Sequence, residues 1–276
     1  MQQAPHGMMQ QLQLRIAGIG FNISLRGIAH TICAAADEKY ASFQRGASEG
    51  FNVEADAATG GKDFQGPPRI TNTGAHESAI AMPGLEARVD WRSKTVHARV
   101  LFKTLHPIDN LLRALVSEAL LRRGTGVLLH ASGVLTRDGA LVFAGESGAG
   151  KTTLARKAEL ANVLSDELVA LVVEGGGAKA FATPFYGEMS KGVCGADARL
   201  AALCLLSGKD KRVCSILPRA EAVQRSLSTV LCFSPRGDDA AKVLNAIAAS
   251  TPVVGLTTLH DEPLDEIIAR INAVLS

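Results

Sequence analysis

The sequence predicts an α/β chain. A small, mostly β N-terminal domain (residues 12–104) precedes a larger domain (residues 105–276) built on a glycine-rich loop, and residues 1–11 read as a disordered N-terminus. Three observations carry this reading. The apolar run Ala140-Leu-Val-Phe-Ala144 leads into Gly145-Glu-Ser-Gly-Ala-Gly-Lys-Thr-Thr153, and helix formers follow to Leu160, which is a strand–loop–helix order. Strand-like and helix-like segments then alternate to the C-terminus, as they do in α/β domains. Ahead of residue 105, apolar residues recur instead with the period of two expected of half-buried strands.

In chain order, Leu12 to Leu25 holds two alternating runs around glycines, and Ala87 to Val100 alternates again through a turn; the Gly/Pro-rich stretch 58–68 between them reads as loop. Trp91 and His97 read as packing and surface residues. From His106-Pro107 a helix is expected to Arg123, with Ile108, Leu111, Leu112, Leu115 and Ala119 on one apolar face and Gly124 ending it. Residues 127–135 form a strand joined to 140–144 through Thr136-Arg-Asp-Gly139, and Asp-Gly between apolar runs signals a hairpin. With Asp138 and Gly139 as turn residues, Ser132 lies across from Gly145 and His130 across from Ser147.

The loop is followed by a helix from Lys151 to about Ala161, and then by Val163 to Val173, which is apolar on both sides of Asp166 and Glu167. Gly175-Gly-Gly177 turns this segment into a strand from Ala178 to Thr183. Beyond lie a strand at 213–217, a helix at 219–228, a strand at 229–233, a helix at 238–249, a strand at 253–259 and an amphipathic helix at 264–275.

The loop fits G-x-x-x-x-G-K-[ST] at every fixed position. Its three glycines let successive amides turn toward an anion, and the helix that follows aims its positive end the same way. A nucleoside triphosphate is the ligand this pattern predicts. Gly145, Glu146, Ser147, Gly148, Ala149, Gly150, Lys151, Thr152 and Thr153 are its expected contacts, Lys151 at the β- and γ-phosphates and the Thr152 hydroxyl on Mg²⁺. His130, brought by the hairpin, is expected beside the γ-phosphate. Of the adjacent carboxylates, one suits the metal and the other the proton of an attacking hydroxyl; Asp166 and Glu167 are both candidate metal residues and Asp166 a candidate base.

Leu129-His-Ala-Ser-Gly133, the loop, and Leu164-Ser-Asp-Glu-Leu168 together resemble the HPr kinase/phosphorylase family and its looser relatives, over roughly residues 105–190. The resemblance implies a P-loop kinase core of the HPr kinase / PEP carboxykinase-like type that uses ATP and Mg²⁺ to phosphorylate a serine or threonine hydroxyl of a peptide or protein substrate. By position, Lys151, His130 and Asp166 would be catalytic. Glu167 stands where the family usually has a second aspartate, and no E-x-R-G-x-G segment follows the core; Lys191-Gly-Val-Cys-Gly195 does not replace it. Activity on HPr itself is therefore not expected. Thr183-Pro-Phe-Tyr-Gly-Glu188 is similar to an aromatic-Gly-Glu segment of the looser relatives, some of which phosphorylate ribosomal peptides such as lasso precursors. Tyr186 and Glu188 are candidates for an acceptor pocket, and Lys191, Arg219 and Arg236 for a further cation. A nucleotide-sensing module without turnover, a small-molecule kinase and a carboxykinase-like reaction are the rival readings.

Bulk properties narrow the classes. A net charge of +2 with 4% aromatics gives no electrostatic footprint for nucleic acid, and no apolar run suits a membrane span or signal peptide. Five cysteines without a C-x-x-C pair suit reduced thiols and a cytoplasmic setting. The N-terminal domain is expected to receive substrate or fix an assembly, so a homo-oligomer is left open.

Overall fold

The computed structural model describes residues 8–46, 49–58, 68–189, 195–207, 213–259 and 261–276. The fold is mixed α/β with two sheets, and the chain divides into two compact units, Met1–Val116 and Ser117–Ser276. That division falls inside a helix rather than ahead of it. Lys191, Cys194 and most of the loop at 58–68 lie outside the described residues.

In the N-terminal unit, β1 (Met8–Ile16), β2 (Ile19–Ile28), β3 (Phe51–Ala57), β4 (Arg69–Asn72), β5 (Glu77–Met82), β6 (Leu85–Asp90) and β7 (Thr95–Val100) form one sheet in the order β1-β2-β3-β7-β6-β5-β4. Since β1 begins at Met8, residues 8–11 belong to a strand and not to a disordered terminus. Helix α1 (His30–Tyr40) connects β2 to β3, which run parallel and so need a crossover. Its buried Ile32, Cys33, Ala36 and Tyr40 recur at helical spacing. Trp91 does pack: its indole donates to Ser78 Oγ at 2.8 Å and meets the Phe51 ring edge-on.

Helix α2 (His106–Arg123) ends at Gly124, whose φ of 63° is left-handed backbone that glycine adopts without strain. The C-terminal unit continues with β8 (Gly126–Thr136), β9 (Gly139–Ala144), α3 (Lys151–Lys157), β10 (Val163–Ser165), β11 (Leu168–Glu174), β12 (Gly177–Phe181), β13 (Asp197–Leu206), β14 (Cys214–Ile216), α4 (Arg219–Leu227), α5 (Gly237–Ser250), β15 (Val253–Leu256) and α6 (Leu264–Leu275). Strands β9, β13 and β15 are parallel, with Ala144 beside Leu205 and Leu206 beside Leu256, so their carboxyl ends lie together. Strand β8 is shared: residues 126–130 pair with β11 and residues 131–136 with β9. Phe143, Leu154, Cys204, Leu256, Ile267 and Ile271 pack into one core that ties α3 and α6 to the parallel strands.

Several expectations are corrected. The hairpin pairs Thr136 with Gly139, so Arg137 and Asp138 are the turn residues and Ser132 faces Phe143 rather than Gly145. Gly139 is needed for a different reason: a Cβ there would lie 2.5 Å from Arg199 O on β13. Helix α3 stops at Lys157, short of Ala161, because the chain turns through residues 160–162 to lay β10 against β8. Residues 229–233 make only a bridge from Val230 to Leu129, reaching β8 just past the end of β9. Strand β13 and helix α1 were not anticipated.

Candidate functional site

The glycine-rich loop leaves the carboxyl end of β9 and runs into α3, at the end of the parallel strands where open α/β sheets bind ligands. Gly145 is half-buried against β13; a Cβ there would come 3.1 Å from Leu206 Cβ and 3.2 Å from Leu206 O. Gly148 (φ 79°) and Gly150 (φ 100°) adopt left-handed backbone with open space where a side chain would begin. The loop therefore follows a path that only glycines take without strain. Glu146, Ser147 and Gly148 are exposed, Ala149, Thr152 and Thr153 half-buried.

Lys151 is buried, and its ammonium donates to Gly145 O at 2.9 Å and Glu146 O at 2.8 Å, spanning the loop. Burial pushes its pKa below the ordinary lysine value. The backbone behind it is fixed by Ser132, fully buried on β8, whose hydroxyl donates to Lys151 O at 2.9 Å.

His130 does not stand across from Ser147. The β8–β9 pairing ends at Ala131 opposite Ala144, so His130 sits one residue past it, and there β8 turns to other partners. It pairs with Leu168 on β11, its amide donates to Thr229 O at 2.7 Å, and its side chain is exposed. The neighbouring amide of Ala131 donates to Glu167 O at 2.9 Å. The hairpin shift thus moves His130 toward the acidic pair while keeping it at the loop's end of the sheet.

Asp166 is buried and Glu167 half-buried in the gap between β10 and β11. Ser165 Oγ accepts the amides of Glu167 (3.2 Å) and Leu168 (3.1 Å), turning the chain there. Asp166 accepts amides from residues 187–189, which follow Phe185. Tyr186 is half-buried, and Glu188 is exposed and ion-paired with Arg156 of α3.

Beside the loop opens a cleft of about 780 Å³, lined by residues 145–150 and Thr153 on one side and by Leu206, Arg225, Thr229, Leu256 and Leu259 on the other. Arg225 is the cation that sequence reasoning missed; its guanidinium reaches Glu221 at 3.2 Å and Leu205 O at 3.4 Å. Of the arginines expected near a phosphate, Arg219 bonds Asn245 O, and Arg236 is held by Glu118 and Asp239. Neither lines the cleft. Only the position of α4 marks Arg225, and no sequence signal distinguishes it from its neighbours.

Thr152 and Glu167, both half-buried, offer one hydroxyl and one carboxylate. Mg²⁺ takes one or two carboxylates, a hydroxyl and phosphate oxygens rather than a full protein cage, and among the described residues no group of three or more His, Cys, Asp or Glu side chains is arranged to hold a metal alone. The four described cysteines, Cys33, Cys204, Cys214 and Cys232, are free thiols. Among the described residues no helix is long and apolar enough to cross a membrane. No protein-family model matches the chain, and no curated protein matches it.

Proposed function

We propose that the chain is an ATP-dependent phosphotransferase with a P-loop kinase core of the HPr-kinase-like type, acting on a serine or threonine hydroxyl of a peptide or protein. The supporting observations are a full phosphate loop and a cleft of about 780 Å³ at the carboxyl ends of β9, β13 and β15, with His130 and the Asp166–Glu167 pair on the adjoining β8 and β10–β11 segment, outside the cleft's lining. That volume falls in the range of small-molecule sites. Bound ATP and Mg²⁺ supply the activated phosphoryl group and neutralise its charge. In this reading Lys151 would hold phosphate oxygens in place of the Gly145 and Glu146 carbonyls it bonds here, and the Thr152 hydroxyl would hold the metal. A carboxylate of the acidic pair accepts the acceptor's proton. His130 balances charge at the transferred group, and the apolar wall of Leu206, Leu256 and Leu259 takes the nucleoside.

A loop alone serves a nucleotide sensor as well as an enzyme; the adjacent carboxylates and histidine favour transfer. One observation favours the sensor reading: the Asp166 carboxylate is occupied by three amides. Incubation with γ-labelled ATP, Mg²⁺ and a serine/threonine peptide library separates the two. The kinase reading expects label on a peptide that disappears in Lys151→Ala; tight ATP binding with no labelled peptide supports the sensor instead.

A further inference from the structure

The two carboxylates of the acidic pair stand in different surroundings. Asp166 is 3% exposed, and its oxygens accept from Gly187 N at 2.9 Å, Glu188 N at 2.8 Å and Met189 N at 3.0 Å. A carboxylate offers about four lone-pair directions, so three are committed to the backbone. Turning this group toward a metal or a hydroxyl would strand those amides, each at the cost of an unmade hydrogen bond.

The chain is shaped to make this contact. A Cβ at Gly187 would come 3.1 Å from Asp166 Oδ2 and 3.4 Å from Glu167 Cβ, so a glycine lets the backbone approach. The same segment is fastened upstream, where Thr183 Oγ1 donates to Leu168 O at 2.6 Å and Ser165 Oγ to Phe185 O at 3.3 Å, with Phe185 fully buried. On its other side Glu188 pairs with Arg156, on the helix that begins at Lys151. Residues 186–189 are thus bound both to the acidic pair and to the helix of the phosphate loop.

We infer that Asp166 is a positioning residue, the anchor that holds residues 186–189 beside the phosphate loop, and that Glu167 is the carboxylate of the pair that serves the magnesium-bound phosphates. The Glu167 half rests on the nucleotide reading above; the anchor half stands without it. This reverses the expectation that Asp166 is the base. Glu167 is half-buried, and its backbone is held by Ser165 Oγ and by Ala131 N.

The test uses the intact chain as wild type, Asp166→Asn and Glu167→Gln. Amide hydrogen exchange over residues 187–189 and calorimetric ATP affinity, with and without Mg²⁺, are both measured. Asp166→Asn is expected to speed exchange about tenfold or more and to keep the gain in ATP affinity that Mg²⁺ gives; Asp166→Glu, which retains two acceptor oxygens, restores part of the slow exchange. Glu167→Gln is expected to leave exchange unchanged and to lose that gain. Unchanged exchange in Asp166→Asn overturns the anchor. A Mg²⁺ gain lost in Asp166→Asn but kept in Glu167→Gln overturns the division of roles, as does ATP binding by wild type that ignores Mg²⁺. Wild type that binds no ATP defeats the Glu167 half together with the proposed function, while the exchange data still judge the anchor. If Asp166→Asn does not fold, Gly187→Ala takes its place: faster exchange with the gain intact supports the inference, and a lost gain contradicts it.

Discussion

Replacing Lys151 with methionine separates a ligand-binding lysine from a structural one. The substitution removes the ammonium and keeps a stem of similar reach. In the fold, Nζ donates to two carbonyls at 2.9 and 2.8 Å from a side chain that is 6% exposed. Hydrogen bonds to a charged group contribute about 1.5–3 kcal/mol each, so the pair supplies roughly 3–6 kcal/mol. Holding an ammonium out of water costs several kcal/mol in the opposite direction, and the depressed pKa of Lys151 reflects that cost. The two nearly cancel, so Lys151→Met is expected to unfold within about 1 kcal/mol of wild type. On binding, the ammonium exchanges these two carbonyls for phosphate oxygens, so the variant loses only the net gain of that exchange. A charge-assisted contact to phosphate is worth up to about 3 kcal/mol, so the loss is at most roughly a hundredfold in Kd. Thermal unfolding and a calorimetric titration with ATP and Mg²⁺ read both quantities. A stability loss beyond about 3 kcal/mol with unchanged ATP affinity would refute the reasoning, because the lysine would then be a staple of the loop and no phosphate ligand.

Lys151 also sets a pH dependence. Burial depresses its folded pKa below 10.5, so the unfolded chain keeps this proton to higher pH, and the group's contribution to stability rises with pH in the window just below 10.5. ATP binding in that window should take up a proton and weaken as pH rises; calorimetry in buffers of different ionisation heat reads the uptake, and none would contradict the assignment. Gly145→Ala forces a methyl to 3.1 Å from Leu206 Cβ, which should cost about 1–3 kcal/mol of stability in denaturant titrations, and an unchanged midpoint would show that β13 yields. Arg225→Gln should lower ATP affinity about fivefold and cost about 1 kcal/mol of stability, since the half-buried guanidinium also donates to Leu205 O beside its exposed pair with Glu221. Equal ATP affinity in that variant would remove Arg225 from the site.

Local signals in the sequence located the loop, because Gly145, Gly148, Gly150 and Lys151 are demanded by backbone conformation and charge within a few residues. The strands on either side of Asp166 and Glu167, the Gly175-Gly176 turn and α6 were equally local. Signals with a tertiary origin misled. Asp138-Gly139 reads as a hairpin turn, yet the glycine answers to Arg199 O on a distant strand. Asp197–Leu206, left unassigned from the sequence, is a strand because β9 and β15 pair with it in parallel. The segment after Lys157 continues with helix formers, and it leaves the helix because β10 must reach β8. For the site, residue types were legible and partners were not. Nothing in the spacing of Asp166 and Gly187 tells that one binds the backbone of the other, or that Ser132 holds Lys151 from behind.

A structure of the chain determined with a non-hydrolysable ATP analogue and Mg²⁺ tests the central claim most directly. The account predicts phosphates seated in the turn of residues 145–153, with Nζ of Lys151 moved from the Gly145 and Glu146 carbonyls onto phosphate oxygens and the nucleoside against Leu206 and Leu256. Lys151 still bonded to both carbonyls, with no nucleotide in the cleft at saturating analogue, would contradict it.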